Sequence, residues 1–451
     1  MKIYVIKQNT PIGYLEEETF NNVTFTYFEE TDKLSYIPGL NNKVNLSENG
    51  LFNVFENLIP ENNQIELLKS SLDSSSCIKI LLHLTNVHGS FIFTSDDDLT
   101  KYNGVEHNKI INYLDAREEI LCNNYKFPNI LKYSLDISND ILFPKGISGA
   151  KMTGLSGYQY KFSVHVDNGR KTISYDDTES SDYIMKPYSK DGSSFNPYST
   201  SGDYIPYLLI NEHLFMTIAR DLGFMVPYSA IIKNGIDFHY IIKRYDRFND
   251  SSFDHEEFAT LLGINPKRKY DPSMTDVLNI SKDYLNTSDI EELFAFFYFA
   301  NLISHGDFHS KNISLIHCSN DIKEKEKILS PYYDISTTKI YKGLDNRDTG
   351  MKIGNKKSNL KIIDFIKIAK LHDIDEVVAM QKIESITKYF FDNFISYIER
   401  LPDDIKELPF YYGKYSSHIS LEATFNKYYN QRVDYIRNNI NEEWAEEEEI
   451  F

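Results

Sequence analysis

The tightest constraint on the fold of this chain is a change of period across residues 301–316, NLISHGDFHSKNISLI. Upstream, DIEELFAFFYFANLIS (289–304) carries apolar residues at i, i+3 and i+4 and predicts a buried helix. Downstream, Ile313, Leu315 and Ile316 alternate as a short buried strand. Between the two lies a polar turn of His305, Gly306, Asp307, His309, Lys311 and Asn312.

The same change of period divides the whole chain near Arg247. Before it, strands dominate. KIYVIK, PIGYLEE and VTFTYFEE alternate apolar and polar residues, and ILLHLTNVHGSFIFTSD closes this part near residue 95. Residues 101–145 read as a charged connector with one helix around 106–114. KFSVHVDNGRKTISYDD predicts a hairpin turning at Asp167-Asn168-Gly169, and YSAIIKNGIDFHYIIKRYDR a second one turning at Asn234-Gly235. DYIMKP reads as a buried strand ended by Pro187. LLINEHLFMTIARDLG (208–223) is amphipathic at helical spacing, with Gly223 as its stop. After Arg247, HEEFATLLG and VVAMQKIESITKYFFDNFISYIERL continue the helical pattern, and EEWAEEEEIF reads as a solvated acidic end. This order predicts an α+β chain. Residues 1–100 form a β-rich module, 101–246 a strand-rich lobe with a connector, and 247–451 a helical lobe.

Composition narrows the function classes. The 451 residues are 41% hydrophobic and 25% charged, enough to build packed cores and to exclude wholesale disorder. With 66 acidic against 48 basic residues the net charge is -18, which disfavours direct nucleic-acid binding by the bulk of the chain. Cys77, Cys122 and Cys318 stand far apart without a CxxC, so neither a zinc site nor a disulfide framework is predicted. MKIYVIKQNTPIG has too few apolar residues for a signal peptide, and no run reaches the ~18 that a membrane helix needs. A cytoplasmic protein without membrane spans is expected.

Asp307 and Asn312 stand at the Asp-x-x-x-x-Asn spacing of a kinase catalytic loop. Asp307 would reach an acceptor hydroxyl, and Asn312 would reach back to a metal on the phosphates. Asp334, in LSPYYDIST, follows another apolar run and supplies the second oxygen ligand that Mg²⁺ prefers. Upstream, Gly154 and Gly157 in TGLSGYQYKFSV can let backbone N–H groups approach phosphate oxygens. Lys186 sits in an apolar strand, where an ammonium is costly unless paired, and Glu212 in the next helix is the candidate partner. Glycine loop, strand lysine, helix acid, Asp/Asn loop and final Asp follow the order of a two-lobed protein-kinase-like fold.

On these residues the chain resembles the HipA-type toxin kinases, the kinase half of bacterial toxin–antitoxin pairs. TPIGYLEE with TFTY, FNVFENLIPE, HGSFIF, LSGYQYKFSV, YIMKP, NEHLFMTIARDLGFMVPYSAII, YIIKRYDR, EEFATLLGINPKRKY, HGDFHSKN and YYDIST appear in family order. The resemblance implies that Asp307 is the catalytic base and that Asn312 and Asp334 hold Mg²⁺. It implies that Lys186 and Lys161 bind ATP phosphates and that His309 lines the site. It makes residues 242–245, with Lys243 and Tyr245, the adenine hinge. It further implies a target in translation such as an aminoacyl-tRNA synthetase, growth arrest, and a small DNA-binding antitoxin partner. Two departures stand out. The family's first regulatory serine position holds Gly154, which leaves Ser156 as the candidate for autophosphorylation. Lys243 occupies a hinge position where an acid is common.

Two other readings compete. HGDFHSKN also fits the His-Gly-Asp-x-His-x-x-Asn loop of aminoglycoside and choline kinases, and an acidic surface would suit a cationic small molecule. A pseudokinase-like regulatory module acting through partner proteins is the non-enzyme alternative. The locally basic stretch 339–361 reads as a solvated loop or as an activation-type segment that touches substrate or nucleic acid.

Overall fold

The structure is a computed structural model of the chain. It describes residues 1–19, 22–47, 50–61, 63–102, 109–142, 160–176, 181–188, 208–341, 344, 346–410 and 419–441. Gly154, Ser156 and Gly157 lie outside the described residues, as does the acidic end.

The first module is a five-stranded antiparallel sheet. Its strands are β1 (Lys2–Lys7), β2 (Thr10–Thr19), β3 (Asn22–Tyr27), β4 (Val44–Ser47) and β5 (Phe91–Thr94), in the order β4-β3-β2-β1-β5. Period-2 patterning puts Val23, Phe25 and Tyr27 of β3 in one core with Ile3, Val5 and Leu15. Gly13 is required where β2 meets β3, because a Cβ there would strike the Thr26 carbonyl. Short helices, Asn53–Glu56 and Cys77–Leu82 among them, cover the sheet, so this part is less purely β than its alternation suggested. The helix Asn53–Glu56 packs Phe55 on Phe25 with ring centroids 5.7 Å apart.

The connector helix is Tyr113–Leu121, beginning where the expected 106–114 helix was to end. Asn112 sets that start by accepting hydrogen bonds from the Leu114 and Asp115 amides.

A curled seven-stranded sheet follows. It contains β6 (Ile130–Leu131), β7 (Ser134–Asp136), β8 (Phe162–Asp167), β9 (Thr172–Ser174), β10 (Tyr183–Lys186), β11 (Ser229–Asn234) and β12 (Asp237–Lys243), in the order β6-β11-β12-β10-β8-β9-β7. Both hairpins form where the sequence placed them. Asp167 pairs with Thr172, and the β11–β12 turn uses Gly235 at φ +59°. The helix Leu208–Asp221 ends in a Schellman arrangement, with the Phe224 amide on the Ala219 carbonyl, the Gly223 amide on the Arg220 carbonyl, and Gly223 at φ +95°.

Beyond Arg247 the chain forms the hairpin β13 (Arg247–Phe248) and β14 (Ser251–Ser252), then a three-stranded sheet of β15 (His255–Glu257), β16 (Ser314–His317) and β17 (Lys327–Leu329). Around them pack the helices Thr287–Leu302, Ile362–Leu371, Glu376–Arg400 and Leu421–Asn441. The last helix was not singled out in the sequence. Arg432 interrupts its apolar stripe, yet that guanidinium is buried and caps the helix Thr287–Leu302, donating to the carbonyls of Leu302 at 2.9 Å and Asn301 at 3.0 Å.

The first module is locked to the strand–helix seam by buried charge. Arg244 donates to Asn86 O at 2.8 Å and Val87 O at 2.7 Å, and it pairs with Asp246 at 2.7 Å. Arg247 donates to Gly89 O at 2.6 Å. Lys7 pairs with Asp254 at 2.7 Å. Burial alone would raise the Asp246 carboxyl, but Arg244 and Arg247 hold it well below the carboxylate range. Arg244→Ala leaves that carboxylate and two carbonyls short of partners, and should cost about 3–5 kcal/mol of folding stability. Chemical denaturation of the full chain checks this. A loss under 1 kcal/mol would mean the module is held by its apolar contacts instead.

Candidate active site

The loop after the long helix is made by an abrupt stop. Ser304 takes φ +54°, a left-handed conformation that an L residue adopts at some cost. Its carbonyl is held by the Thr338 amide at 3.0 Å and the Thr338 hydroxyl at 3.2 Å. Thr338 also accepts from the Gly306 amide at 3.0 Å, and a Cβ on Gly306 would collide with that hydroxyl. The chain is thereby turned away from the helix, and Asp307 is left exposed at the surface of the loop.

The loop is internally cross-braced. Asn312 Oδ1 accepts from the His309 amide at 3.0 Å, and His309 Nδ1 accepts from the Lys311 amide at 3.3 Å. Burial holds the His309 imidazole neutral, well below its ordinary value. Lys311 points away from the site. Its ammonium is fully buried, donates to Asn57 O at 2.8 Å and pairs with Glu61 at 3.1 Å. Glu61 also takes Lys269 at 2.7 Å, so the first module braces the loop from behind.

Asp307 is not free. The Tyr270 hydroxyl donates to its Oδ1, and the Tyr270 ring stands edge-on to His309 with centroids 5.0 Å apart. Protein packed around Asp307 raises its carboxyl above the usual carboxylate range, and the hydrogen bond from Tyr270 opposes that rise.

Lys186 ends β10 at the centre of the curled sheet. Its ammonium donates to both Glu212 oxygens, at 2.8 and 2.7 Å, and to Asp334 Oδ1 at 2.6 Å. Burial would lower the Lys186 ammonium, but Asp334 and Glu212 together raise it. Burial pushes Glu212 up to about 7 against the pull of Lys186, while Lys186 and Lys161 overcome burial to hold Asp334 low. Asp334 takes φ +60°, which a short polar side chain tolerates. Asn211, one residue before Glu212, positions this segment by donating to Thr337 O at 2.8 Å and accepting from the Thr337 amide at 3.1 Å. Lys161, just before β8, is the second ammonium here. Burial lowers it to about 8, and Asp334 is the main opposing influence.

The structure therefore brings Lys161, Lys186, Glu212 and Asp334 together on one side, and Asp307, His309 and Asn312 on the other. The segment 242–245 lies further along the same sheet. Lys243 stands opposite Tyr183, at the far end of β10 from Lys186. The Lys243 and Arg244 amides donate to Tyr228 O at 2.8 Å and Asp182 O at 2.6 Å. Lys243 Nζ donates to Glu119 O at 2.9 Å, and Tyr245 is buried, stacked on Tyr333 at 5.7 Å. Tyr270, Lys269, Glu61 and Asn211 were missed as site residues. Each sits in a motif quoted above, but none has a local spacing that marks a role.

Three comparisons bear on this geometry. Residues 153–396 match the family model for the HipA-like C-terminal domain. The chain is 33% identical over 155 residues to "Putative kinase Y4dM" of Sinorhizobium fredii, covering 31% of this chain and 36% of that protein. It is 26% identical over 212 residues to a "Putative kinase" of Haemophilus influenzae, covering 43% of this chain and 54% of that one. These matches span about a third to a half of the length of the curated relatives. In fold, the chain is similar to HipA of Shewanella oneidensis, solved with HipB and its operator DNA, with a TM-score of 0.64, 15% identity and 97% of each chain covered. No helix among the described residues is long and apolar enough to cross a membrane.

Proposed function

The chain belongs to the family of proteins with a HipA-like C-terminal domain, and on that premise we propose that it is an ATP-dependent serine/threonine protein kinase, the toxin of a toxin–antitoxin pair. The observation that carries this reading is the contact of one buried lysine, Lys186, with both Glu212 and Asp334. It joins the strand lysine, the helix acid and the acid after the loop across the two lobes. We take 1–100 as the accessory module, 101–246 as the N-lobe and 247–451 as the C-lobe.

The donor set suits ATP with Mg²⁺. Asp334 offers a carboxylate and Asn312 an amide oxygen, both hard donors, and Mg²⁺ commonly takes one or two such groups and completes its shell with phosphate and water. Bound ATP and Mg²⁺ would supply the transferable phosphoryl group and neutralise its charge. Lys186, held by Glu212, would offer its ammonium to the phosphates, and Lys161 would add a second cation near Asp334. Gly154, Ser156 and Gly157 would approach the phosphates through backbone N–H groups, with Ser156 as the site of autophosphorylation. Lys243 and Tyr245 would flank the adenine. Asp307 orients the acceptor hydroxyl and takes its proton on the oxygen that Tyr270 now contacts, and neutral His309 packs behind it. Positioning and electrostatics supply most of the acceleration.

The acceptor we propose is a translation component such as an aminoacyl-tRNA synthetase, with growth arrest as the result. The HipA relative was solved with HipB and operator DNA. By analogy, we propose that a DNA-binding antitoxin partner supplies the DNA contact that a chain of net charge -18 does not favour. The test is transfer of labelled γ-phosphate from ATP to protein, with mass spectrometry of the products. Label on serine or threonine of cell proteins supports the reading. Label appearing only on an aminoglycoside or choline would replace it with the small-molecule alternative.

Tyr270→Phe provides a finer check on the base. Losing the donated hydrogen bond leaves the Asp307 carboxylate less stabilised, so its carboxyl pKa rises. The acid limb of kcat/KM, which reports the free enzyme, should move to higher pH. An unmoved limb would separate Tyr270 from the ionisation of the base.

A further inference from the structure

The segment 346–358 lies directly on the catalytic loop. His305 bridges to Thr349, and the Gly350 amide donates to the His305 carbonyl at 3.1 Å. Any Cβ on Gly350 would strike the Phe308 backbone, so only glycine allows this approach. The segment carries Arg347, Lys352 and Lys357. Lys357 Nζ donates to the Tyr270 carbonyl at 3.3 Å and stands 5.5 Å from the centre of its ring. The Arg347 Cβ lies 3.6 Å from where a Cβ on Gly306 would sit, next to Asp307. The Tyr270 hydroxyl donates to Asp307 Oδ1. Arg347 and Lys357 thus stand around the approach to the base, and Lys352 stands beside Lys357.

Among the described residues these charges are not balanced locally. Three carboxylates near them, among the described residues, are already engaged by other cations. Asp348 holds Arg432 at 3.2 Å and Tyr435 at 3.0 Å, Asp271 holds Arg268 at 2.7 Å, and Glu61 holds Lys269 and Lys311. Arg347 and Lys352 are exposed, and among the described residues neither pairs with a carboxylate. Burial first, and then the like charges of Arg347 and Lys352, keep the Lys357 ammonium below its usual range. On a chain of net charge -18 this is a local exception rather than general basicity.

We propose that Arg347, Lys352 and Lys357 form an acceptor-docking surface that selects a protein segment in which the reacting hydroxyl is flanked by aspartate or glutamate. The inference rests on the kinase reading above and names its substrate class. Three cations are too few to track a nucleic acid backbone against the repulsion of the whole chain, but they match a short acidic peptide. Exposed charges of this kind give selectivity and on-rate more than raw affinity, and salt screens them.

The test uses the full chain without nucleotide and three labelled peptides that share a central serine, flanked by glutamate, alanine or lysine. Fluorescence anisotropy should rank them glutamate, alanine, lysine. The outer two should differ by about tenfold at low ionic strength, and less at high salt. The double variant R347E/K352E should invert the ranking, a gain for the lysine peptide that a misfolded chain cannot produce. Equal binding of the three peptides, or an unchanged glutamate preference in the double variant, overturns the proposal. So does tighter binding of a single-stranded RNA oligonucleotide than of the glutamate peptide. Adding ATP and Mg²⁺ then separates the two readings. Phosphate transfer without flank selectivity removes the docking surface and keeps the kinase. Selective binding with no transfer to any peptide or protein removes the kinase, and with it the acceptor role of the surface.

Discussion

Asp307→Asn is expected to slow phosphoryl transfer by about 10²–10⁴-fold while leaving nucleotide affinity close to that of the unaltered chain. The amide keeps the size of the side chain and can still meet the Tyr270 hydroxyl. It cannot take a proton. The cross-bracing of the loop does not depend on Asp307. It runs through Asn312 to the His309 amide, Thr338 to Ser304, and Lys311 to Glu61. The fold should therefore survive, and the loss should fall on kcat rather than on KM for ATP. Single-turnover transfer with labelled ATP, alongside equilibrium nucleotide binding, measures both quantities. Transfer at the unaltered rate would remove Asp307 as the base.

Lys186→Met should damage the molecule in a different way. It leaves two carboxylates facing each other where one ammonium had served both. Removing one partner of a buried ion pair typically costs about 3–5 kcal/mol, and partial solvation of Asp334 moves the expectation to the lower end. The loss should depend on pH, and its sign follows from Glu212. Burial already raises that carboxyl to about 7 with Lys186 present, and without the ammonium it rises further. A carboxyl raised in the folded state is tolerated while protonated and becomes a burden as pH climbs through its folded value. The deficit should therefore be smaller near pH 5, where only the lost pairing with Asp334 is felt, and greatest above pH 8. Adding Glu212→Gln should recover much of it at high pH without restoring transfer. Urea unfolding of the single and double variants across that range is the measurement. A deficit independent of pH would mean that Glu212 is not the group left stranded.

How much of this was legible beforehand depended on range along the chain. Both hairpins, the helix ending at Gly223 and the helix–loop–strand around Asp307 were readable because each is fixed by neighbouring residues. Alternation, a turn glycine or a change of period is enough. Asp307, Asn312, Lys186 and Glu212 could be named for the same reason, since spacing or an out-of-place charge marked each one. The connector helix was displaced because its cap, Asn112, outweighed the charge pattern before it. The final helix was overlooked because a buried arginine looks like a surface residue until its carbonyl partners are known.

The chain's local chemistry thus determined which elements form and which side chains could do work. It could not determine who meets whom. Lys186 reaches Asp334 across 148 residues, and Glu61 reaches Lys269 across 208. Tyr270 finds Asp307 only because the strap before it is pinned against the loop. Such contacts carry no periodicity. They exist because packing the lobes and the first module removes water from these charges and leaves each other as their partners, which only the assembled molecule can decide.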